Sequence, residues 1–285
     1  MRFASLGSGS KGNGLVVQSG QTTVLVDCGF TVKHTTARLA ELSIAPSQLD
    51  ALLVTHEHGD HIKGVGPLSR KFDIPVFMTP GTHRSKDIGV IRQMHYIEGY
   101  LPFTIGSLFV TPVAVPHDAR EPAQFVFESG LKGEKKRLGV LTDLGSVSQH
   151  VIDAYHGCHG LVLEANHDPK MLAMGPYPPS LKRRVAGLWG HLSNQQAADF
   201  FQSIDISYLE TLVLAHISQK NNDLKRVCEA FEPIEHAVPN MLLASQEEGF
   251  DWVELKGQQR TMGEEEKSIN PLLDVACEAV PLLSA

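Results

Sequence analysis

Short apolar runs separated by turn residues dominate the first third of the chain. Met1–Leu6, Leu15–Gln18 and Thr22–Val26 read as strands, broken by the loop Gly7–Gly14 and by the hairpin-like turn Ser19-Gly20-Gln21. Ala37, Leu39, Ala40 and Leu42 recur at helical spacing and predict a helix over Thr31–Leu42. Ala51–Val54 is continuously apolar, the pattern of a strand buried on both faces. Further strands are predicted at Val76–Met78, Phe109–Val115, Gln124–Glu128, Arg137–Leu141, Gly160–Glu164, Thr211–Ala215 and Met241–Ala244. Helices are predicted at Gln149–Tyr155, Pro179–Val185, Asn194–Gln202 and Asn222–Ala230. Many short strands with interspersed helices, divided between two halves, predict an α/β sandwich in which helices cover the outer faces of two packed sheets. No linker, low-complexity block or repeat divides residues 1–255. From Lys256, a run containing Gly263-Glu264-Glu265-Glu266-Lys267 reads as an acidic C-terminal extension over 256–285, a solvated terminus without chemistry.

Composition narrows the function classes. At 42% hydrophobic and 20% charged, the 285 residues are not a disordered chain. No run approaches the ~18 apolar residues of a membrane helix. The start, Met1-Arg2-Phe3, has no signal-peptide core, so a cytoplasmic protein is expected. The net charge of −7 excludes a general basic coat, so nucleic-acid binding requires a local patch or bound cations. Cys28, Cys158, Cys228 and Cys277 form no CxxC and read as reduced, mostly buried thiols.

The 14 histidines carry the chemistry. Thr55-His56-Glu57-His58-Gly59-Asp60-His61 follows directly on the apolar strand and presents three imidazoles and a carboxylate within six residues. At a frequency of about 0.05 per residue type, four specified positions coincide by chance on the order of 0.002 times in a chain this long. Such donors suit zinc, manganese and iron. Alternate residues of an extended segment share a face, so His56 and His58 can aim together, while the turn after Gly59 lets Asp60 and His61 face a second ion. His117, Asp143 and His216 each stand just after a predicted apolar strand, where α/β folds collect ligands. The expected partition is His56, His58 and His117 on one metal, Asp60, His61 and His216 on the other, and Asp143 bridging both.

These residues resemble the metallo-β-lactamase superfamily of two-metal hydrolases, and more closely its WalJ (YycJ)-type exonuclease-like branch. The resemblance is carried by Gly7–Asn13, Leu25–Gly29, Thr55–Gly64, His117-Asp118-Ala119 with Pro122, Leu141–Asp143, Glu164–Asp168, Gly190–Asn194, and Ala215–Ser218 with Asn221-Asn222. It spans residues 2 to about 245. It implies an αββα four-layer sandwich with the metals at one sheet edge. It also implies a phosphodiesterase or nuclease activity, with branch members regarded as 5′-to-3′ DNA exonucleases. Lys11, where relatives often carry a small residue, and the acidic extension depart from the pattern.

Other residues admit two readings each. The Gly7–Gly14 loop offers Ser8, Ser10, Lys11 and Asn13 to a phosphate, or is a tight turn between strands. Asp27 either orients a ligand histidine or satisfies turn amides. His191 and His167 are leaving-group contacts or structural histidines, and Ser193 and Asn194 are substrate contacts, with Ser193 also placed to cap a helix. His156 and His159 flank Cys158 but lack a fourth ligand, and read as a surface loop. Lys182, Arg183 and Arg184 read as a solvated helix face rather than a backbone grip. The expected function is two-metal phosphodiester hydrolysis through a metal-bridged hydroxide oriented by Asp60, with DNA the favoured substrate. The rivals are a thioesterase, lactonase or small cyclic phosphodiesterase on the same site, or a non-enzymatic metal-binding module.

Overall fold

A computed structural model describes residues 1–130 and 135–257. In chain order its strands are β1 (Arg2–Gly7), β2 (Gly14–Ser19), β3 (Thr22–Val26), β4 (Ala51–Leu53), β5 (Val76–Met78), β6 (Met94–Tyr96), β7 (Phe103–Ile105), β8 (Leu108–Ala114), β9 (Ala123–Ser129), β10 (Lys136–Leu141), β11 (Gly160–Glu164), β12 (Thr211–Ala215), β13 (Asn240–Leu243) and β14 (Phe250–Glu254). They form two sheets, ordered β14-β1-β2-β3-β4-β5-β6 and β13-β12-β11-β10-β9-β8-β7.

The four-layer arrangement follows from the alternation hidden inside the apolar runs. Along β4, Ala51 and Leu53 join the core between the sheets, while Leu52 joins an outer core with Leu39 and Leu68 of flanking helices. Along β11 and β12, Val162, Val213 and Ala215 face inward. Leu161, Leu163, Leu212 and Leu214 pack outward with Phe200, Phe201 and Phe231 of the helices Asn194–Ser203 and Leu224–Phe231. A strand with apolar residues on both faces needs cover on both, and two sheets with helices outside supply it.

Strand polarity then positions the site. In the first sheet β1, β3 and β4 run one way, since β2 is antiparallel to both β1 and β3 while β3 and β4 are parallel. In the second, β8, β10, β11 and β12 share a direction by the same reasoning. The segments following these seven strands include Ser8–Asn13, Asp27, His56–His61, His117, Asp143, Ala165–Asp168 and His216.

The expected sandwich, the paired hairpin and most elements are present. The predicted Thr31–Leu42 helix is Val32–Glu41, with Thr31 capping it through a bond from the His34 N–H. Three strands are additions: β6 and β7, of three residues each, and β14, which pairs with β1. Helices at Val65–Phe72, Pro80–Ser85 and Pro169–Met174 are also additions. The last two carry a readable start signal, a Thr79 or Asp168 cap followed by proline. The acidic extension lies outside the described residues except for Lys256 and Gly257, whose N–H groups donate to Glu210 at 2.7 and 2.6 Å. Cys28 and Cys158 are buried free thiols; Cys277 lies outside the described residues.

Leu163 is fully buried on the outer face of β11. Leu163→Ala is expected to destabilise the fold by about 2–5 kcal/mol, read from urea denaturation midpoints.

Candidate metal centre

The site is built around two buried carboxylates at the ends of parallel strands. Asp27, just after β3, accepts from the Thr55 N–H at 2.9 Å, from Thr55 Oγ1 at 2.8 Å and from His61 Nδ1 at 2.8 Å. The Thr55 hydroxyl donates its only hydrogen to Asp27, so the Nδ1 of His56, 2.9 Å away, must donate to it. One carboxylate thus sets the tautomers of His56 and His61 and turns both Nε2 atoms toward the site. Glu164, the last residue of β11, does the same on the second sheet. Its Oε1 accepts from Nδ1 of His191 at 2.8 Å and of His216 at 3.0 Å, and its Oε2 accepts from the Leu192 N–H at 2.9 Å. The Gly190 carbonyl orients His117 through Nδ1 at 3.0 Å.

Two donor groups result. His58 Nδ1 lies 3.0 Å from His56 Nε2 and 3.3 Å from His117 Nε2. Two nitrogens sharing a tetrahedral zinc at ~2.0–2.1 Å stand about 3.3 Å apart. Asp60, His61 and His216 form the second group, and Asp143 groups with His56 and His61, between the two. Asp143 Oδ2 is buried and accepts no hydrogen bond among the described residues, with His61 Nε2 at 3.4 Å. A buried carboxylate oxygen without a hydrogen bond, beside imidazole nitrogens that can serve as ligands once deprotonated, fits a divalent cation.

Local backbone geometry aims these groups. Asp27, Asp143 and His216 have φ of 59°, 55° and 54°, in the left-handed region that non-glycine residues rarely occupy. Each turn reverses the chain just past a strand and points the side chain into the site. Such conformations cost of order 1–3 kcal/mol each and persist only when the surroundings hold them. Gly29 meets a different need. A Cβ there would lie 1.7 Å from the Asp60 carbonyl and 2.8 Å from the Asn13 nitrogen, so only glycine lets the metal-motif turn approach.

The electrostatics of the two groups differ. Burial, then His61 and His117, push His56 well below its ordinary pKa; burial also lowers His117. Both are neutral, with lone pairs free. Burial opposes the charged form of His61 too, but Asp143 and Asp27 prevail and raise it to about 9. His216 is raised well above the usual imidazole value, Asp143, Asp60 and Glu164 overcoming burial. Asp60, Asp143 and Glu164 are all lowered despite burial, through neighbouring histidines.

The remaining sequence candidates divide by location. Ser8 is buried and its hydroxyl accepts from the His216 N–H at 2.9 Å. Asn13 is buried, its amide 3.0 Å from His61 Nε2 and donating to the Gly9 carbonyl at 3.1 Å. Ser193 caps the Asn194–Ser203 helix, and Asn194 exchanges amide bonds with Asn222 at 2.8 and 2.9 Å. All four side chains are engaged inside the fold, and only Ser10 and Lys11 of that set reach solvent. His191 lies with its ring 5.3 Å from those of His117 and His216. His167 is buried, its Nδ1 without a hydrogen bond among the described residues, and burial lowers its pKa to about 4.

The surface-loop reading of His156–His159 needs correction for His159, which is buried because its Nδ1 accepts from the Arg137 N–H at 3.1 Å. In the basic run, Arg184 pairs with Asp118 and Lys182 donates to the Ala173 carbonyl at 2.6 Å. Sequence reasoning gave no role to Glu164 or Asp118. Glu164 ends an apolar strand just as the candidate ligand positions follow one, which was the available signal. Asp118 follows His117, and its Oδ1 lies 3.4 Å from His117 Nε2 and 3.6 Å from His58 Nε2.

Two outcomes follow from this geometry. Asp27→Ala is expected to weaken metal binding about 10–100-fold, measured by chelator competition, because His61 loses its orienting acceptor. Ligating imidazoles are neutral, so metal uptake is expected to release protons from His61 and His216. Apparent affinity then falls as the pH drops below about 9. Calorimetry in buffers of different ionisation enthalpy reads this release, and a pH-independent affinity without proton release would contradict it.

The family model for the beta-lactamase superfamily domain matches residues 22–217. The chain is 36% identical over 227 residues to exodeoxyribonuclease YycJ of Bacillus anthracis, covering 78% of this chain and 84% of that protein. It is 35% identical over 227 residues to exodeoxyribonuclease WalJ of Streptococcus pneumoniae, covering 78% and 83%. Among solved structures, the metallo-beta-lactamase fold protein YhfI of Bacillus subtilis superposes with a TM-score of 0.64 at 16% identity, over 89% of this chain and 99% of that one. With its two helix-flanked sheets and the histidine and aspartate cluster at their common edge, the chain belongs to the metallo-β-lactamase superfamily, in the group of the YycJ and WalJ exodeoxyribonucleases.

Proposed function

We propose that the protein is a metal-dependent phosphodiester hydrolase acting on DNA as a 5′-to-3′ exonuclease. The carrying observation is the buried Asp143 Oδ2, without a hydrogen bond among the described residues, between two groups of imidazoles oriented by Asp27, Gly190 and Glu164. His56, His58 and His117 would hold one divalent cation, Asp60, His61 and His216 the other, and Asp143 both. The borderline nitrogen and oxygen donors suit zinc or manganese, with iron also compatible. When bound, two such cations supply a water acidic near neutral pH and neutralise phosphate oxygens.

The chain's own residues do the rest. Asp60, kept ionised by His216 and His61, orients the attacking water. His191 is the better proton donor to the leaving oxygen: burial works against its charge, but Glu164 holds its pKa up. His167, lowered to about 4, is neutral at physiological pH and serves as a hydrogen-bonding group. Trp189 is 62% exposed beside Gly190, whose carbonyl orients His117, and offers a face on which a base can stack. The relatives named exodeoxyribonucleases support DNA as substrate. The free thiols of Cys28 and Cys158 agree with a reducing, cytoplasmic setting.

End-labelled DNA and RNA, with and without a 5′ phosphate, incubated with apo-protein refilled by each metal, test this reading. Metal-dependent shortening of DNA from the 5′ end is expected, abolished by EDTA. Asp143→Ala is expected to lose at least about a thousandfold in turnover while remaining folded, and His191→Ala about a hundredfold or more. Turnover of thioesters or lactones with DNA left intact would favour a small-molecule hydrolase instead.

A further inference from the structure

A cleft of about 610 Å³ opens beside the metal centre and has Asp60 in its wall. Its size falls within the ~300–1,000 Å³ of ligand sites. Lys11 enters from the loop after β1, Lys63 and Arg70 from the segment following the metal motif, and Lys86 and Asp87 from the loop beyond Pro80–Ser85. Four cations therefore face two carboxylates, a local positive excess in a chain of net charge −7.

The four cations are not equivalent. Lys11 pairs with Glu247 at 2.6 Å. The Arg70 guanidinium donates to the Ile88 carbonyl at 2.6 Å and so braces the loop that carries Lys86. Lys63 and Lys86 are exposed, and among the described residues neither ammonium has an ion pair or a hydrogen-bond partner. Unpaired cations in a concave wall attract anions more strongly than the same charges on a convex surface, because the low-dielectric walls focus the field. A small ester brings a single reacting group to the metal centre. A polynucleotide held there has further phosphates that must lie somewhere, and this cleft is continuous with Asp60.

We propose that the cleft holds the phosphate backbone next to the phosphate cleaved at the metal centre, with Lys63 and Lys86 as its ammonium contacts. The inference rests on the nuclease reading above and adds the path of the strand. Asp87 is the opposing charge in the same wall, so its removal should act with the opposite sign.

The test compares the full-length native protein, Lys63→Ala/Lys86→Ala and Asp87→Asn. Binding of a fluorescent single-stranded oligonucleotide is measured in EDTA across a salt series, and hydrolysis with metal is measured on DNA and on bis-p-nitrophenyl phosphate. The double variant is expected to bind about tenfold more weakly, its slope of log K against log salt shallower by about 1.4, at ~0.7 per lost contact with a single strand. Its kcat/KM should fall at least about tenfold further on DNA than on the small diester. Asp87→Asn should tighten DNA binding. Metal content and melting temperature monitor the centre and the fold, and Lys63→Gln/Lys86→Gln repeats the comparison should alanine disturb the turn. A loss confined to 5′-phosphorylated strands would identify the terminal phosphate as the occupant; an equal loss on 5′-hydroxyl strands would identify an internal one. Native protein that degrades DNA while the double variant matches it in affinity, salt slope and kcat/KM overturns the cleft assignment alone. Native protein that hydrolyses the small diester but neither binds nor degrades DNA overturns the nuclease reading and this inference with it.

Discussion

A carboxylate buried at the end of a strand, accepting from the Nδ1 of two histidines directly or through one hydroxyl, is the interaction on which the centre depends. It occurs twice, once per sheet, at Asp27 and at Glu164. Without it, His56, His61, His191 and His216 are free to take either tautomer, and no particular nitrogen faces the site. With it, the rings are fixed by groups that are themselves tied to backbone N–H donors, those of Thr55 and Leu192. Burying a carboxylate is costly unless its lone pairs are satisfied. Here the satisfaction comes from the histidines it orients, so the fold and the ligand geometry stabilise each other.

The strain at Asp27, Asp143 and His216 belongs to the same arrangement. Each left-handed residue follows a strand buried on both faces, where slipping the register by one would bury the wrong side chains in both the inner and the outer core. That packing is strong enough to hold a few kilocalories of unfavourable backbone at the edge. The rigid part of the protein is thus spent on sequence-distant strands converging, and the edge inherits their precision. Residues from 56 to 216 meet within a few ångströms because the strands that precede them run in one direction within each sheet and end at the common edge.

Charge is distributed unevenly for a related reason. Carboxylates gather at the centre, where protonated imidazoles or cations balance them, and the chain as a whole is acidic. A polyanion approaching such a surface is repelled at long range, so any attraction has to be local. Lys63 and Lys86, whose ammonium groups have no ion pair or hydrogen bond among the described residues, share one cleft with Asp60 and are where the proposed attraction is concentrated.

Part of this was legible in the residues alone. The His56–His61 motif is local, its spacing reports a shared ligand face, and its strand-then-turn setting can be read from Ala51–Val54. The same logic reached His117, Asp143 and His216, because a polar residue directly after a fully apolar strand is out of place unless something there needs it. Glu164 obeyed that rule but is the strand's own last residue, so it read as a terminus. The engagement of Ser8, Asn13, Ser193 and Asn194 inside the fold was not legible, since their polarity suits a ligand as well as a buried neighbour, and only long-range contacts such as Ser8 with His216 distinguish the two. The three-residue strands β6 and β7 carry too few residues for a period to show. By itself, then, the sequence determined the layers, most of the strands and the candidate donor residues, because these follow from local pattern and residue chemistry. Only the tertiary structure decided which nitrogen of each histidine faces inward and which lysines share a wall with Asp60, because both depend on partners far apart in the chain that strand order brings together.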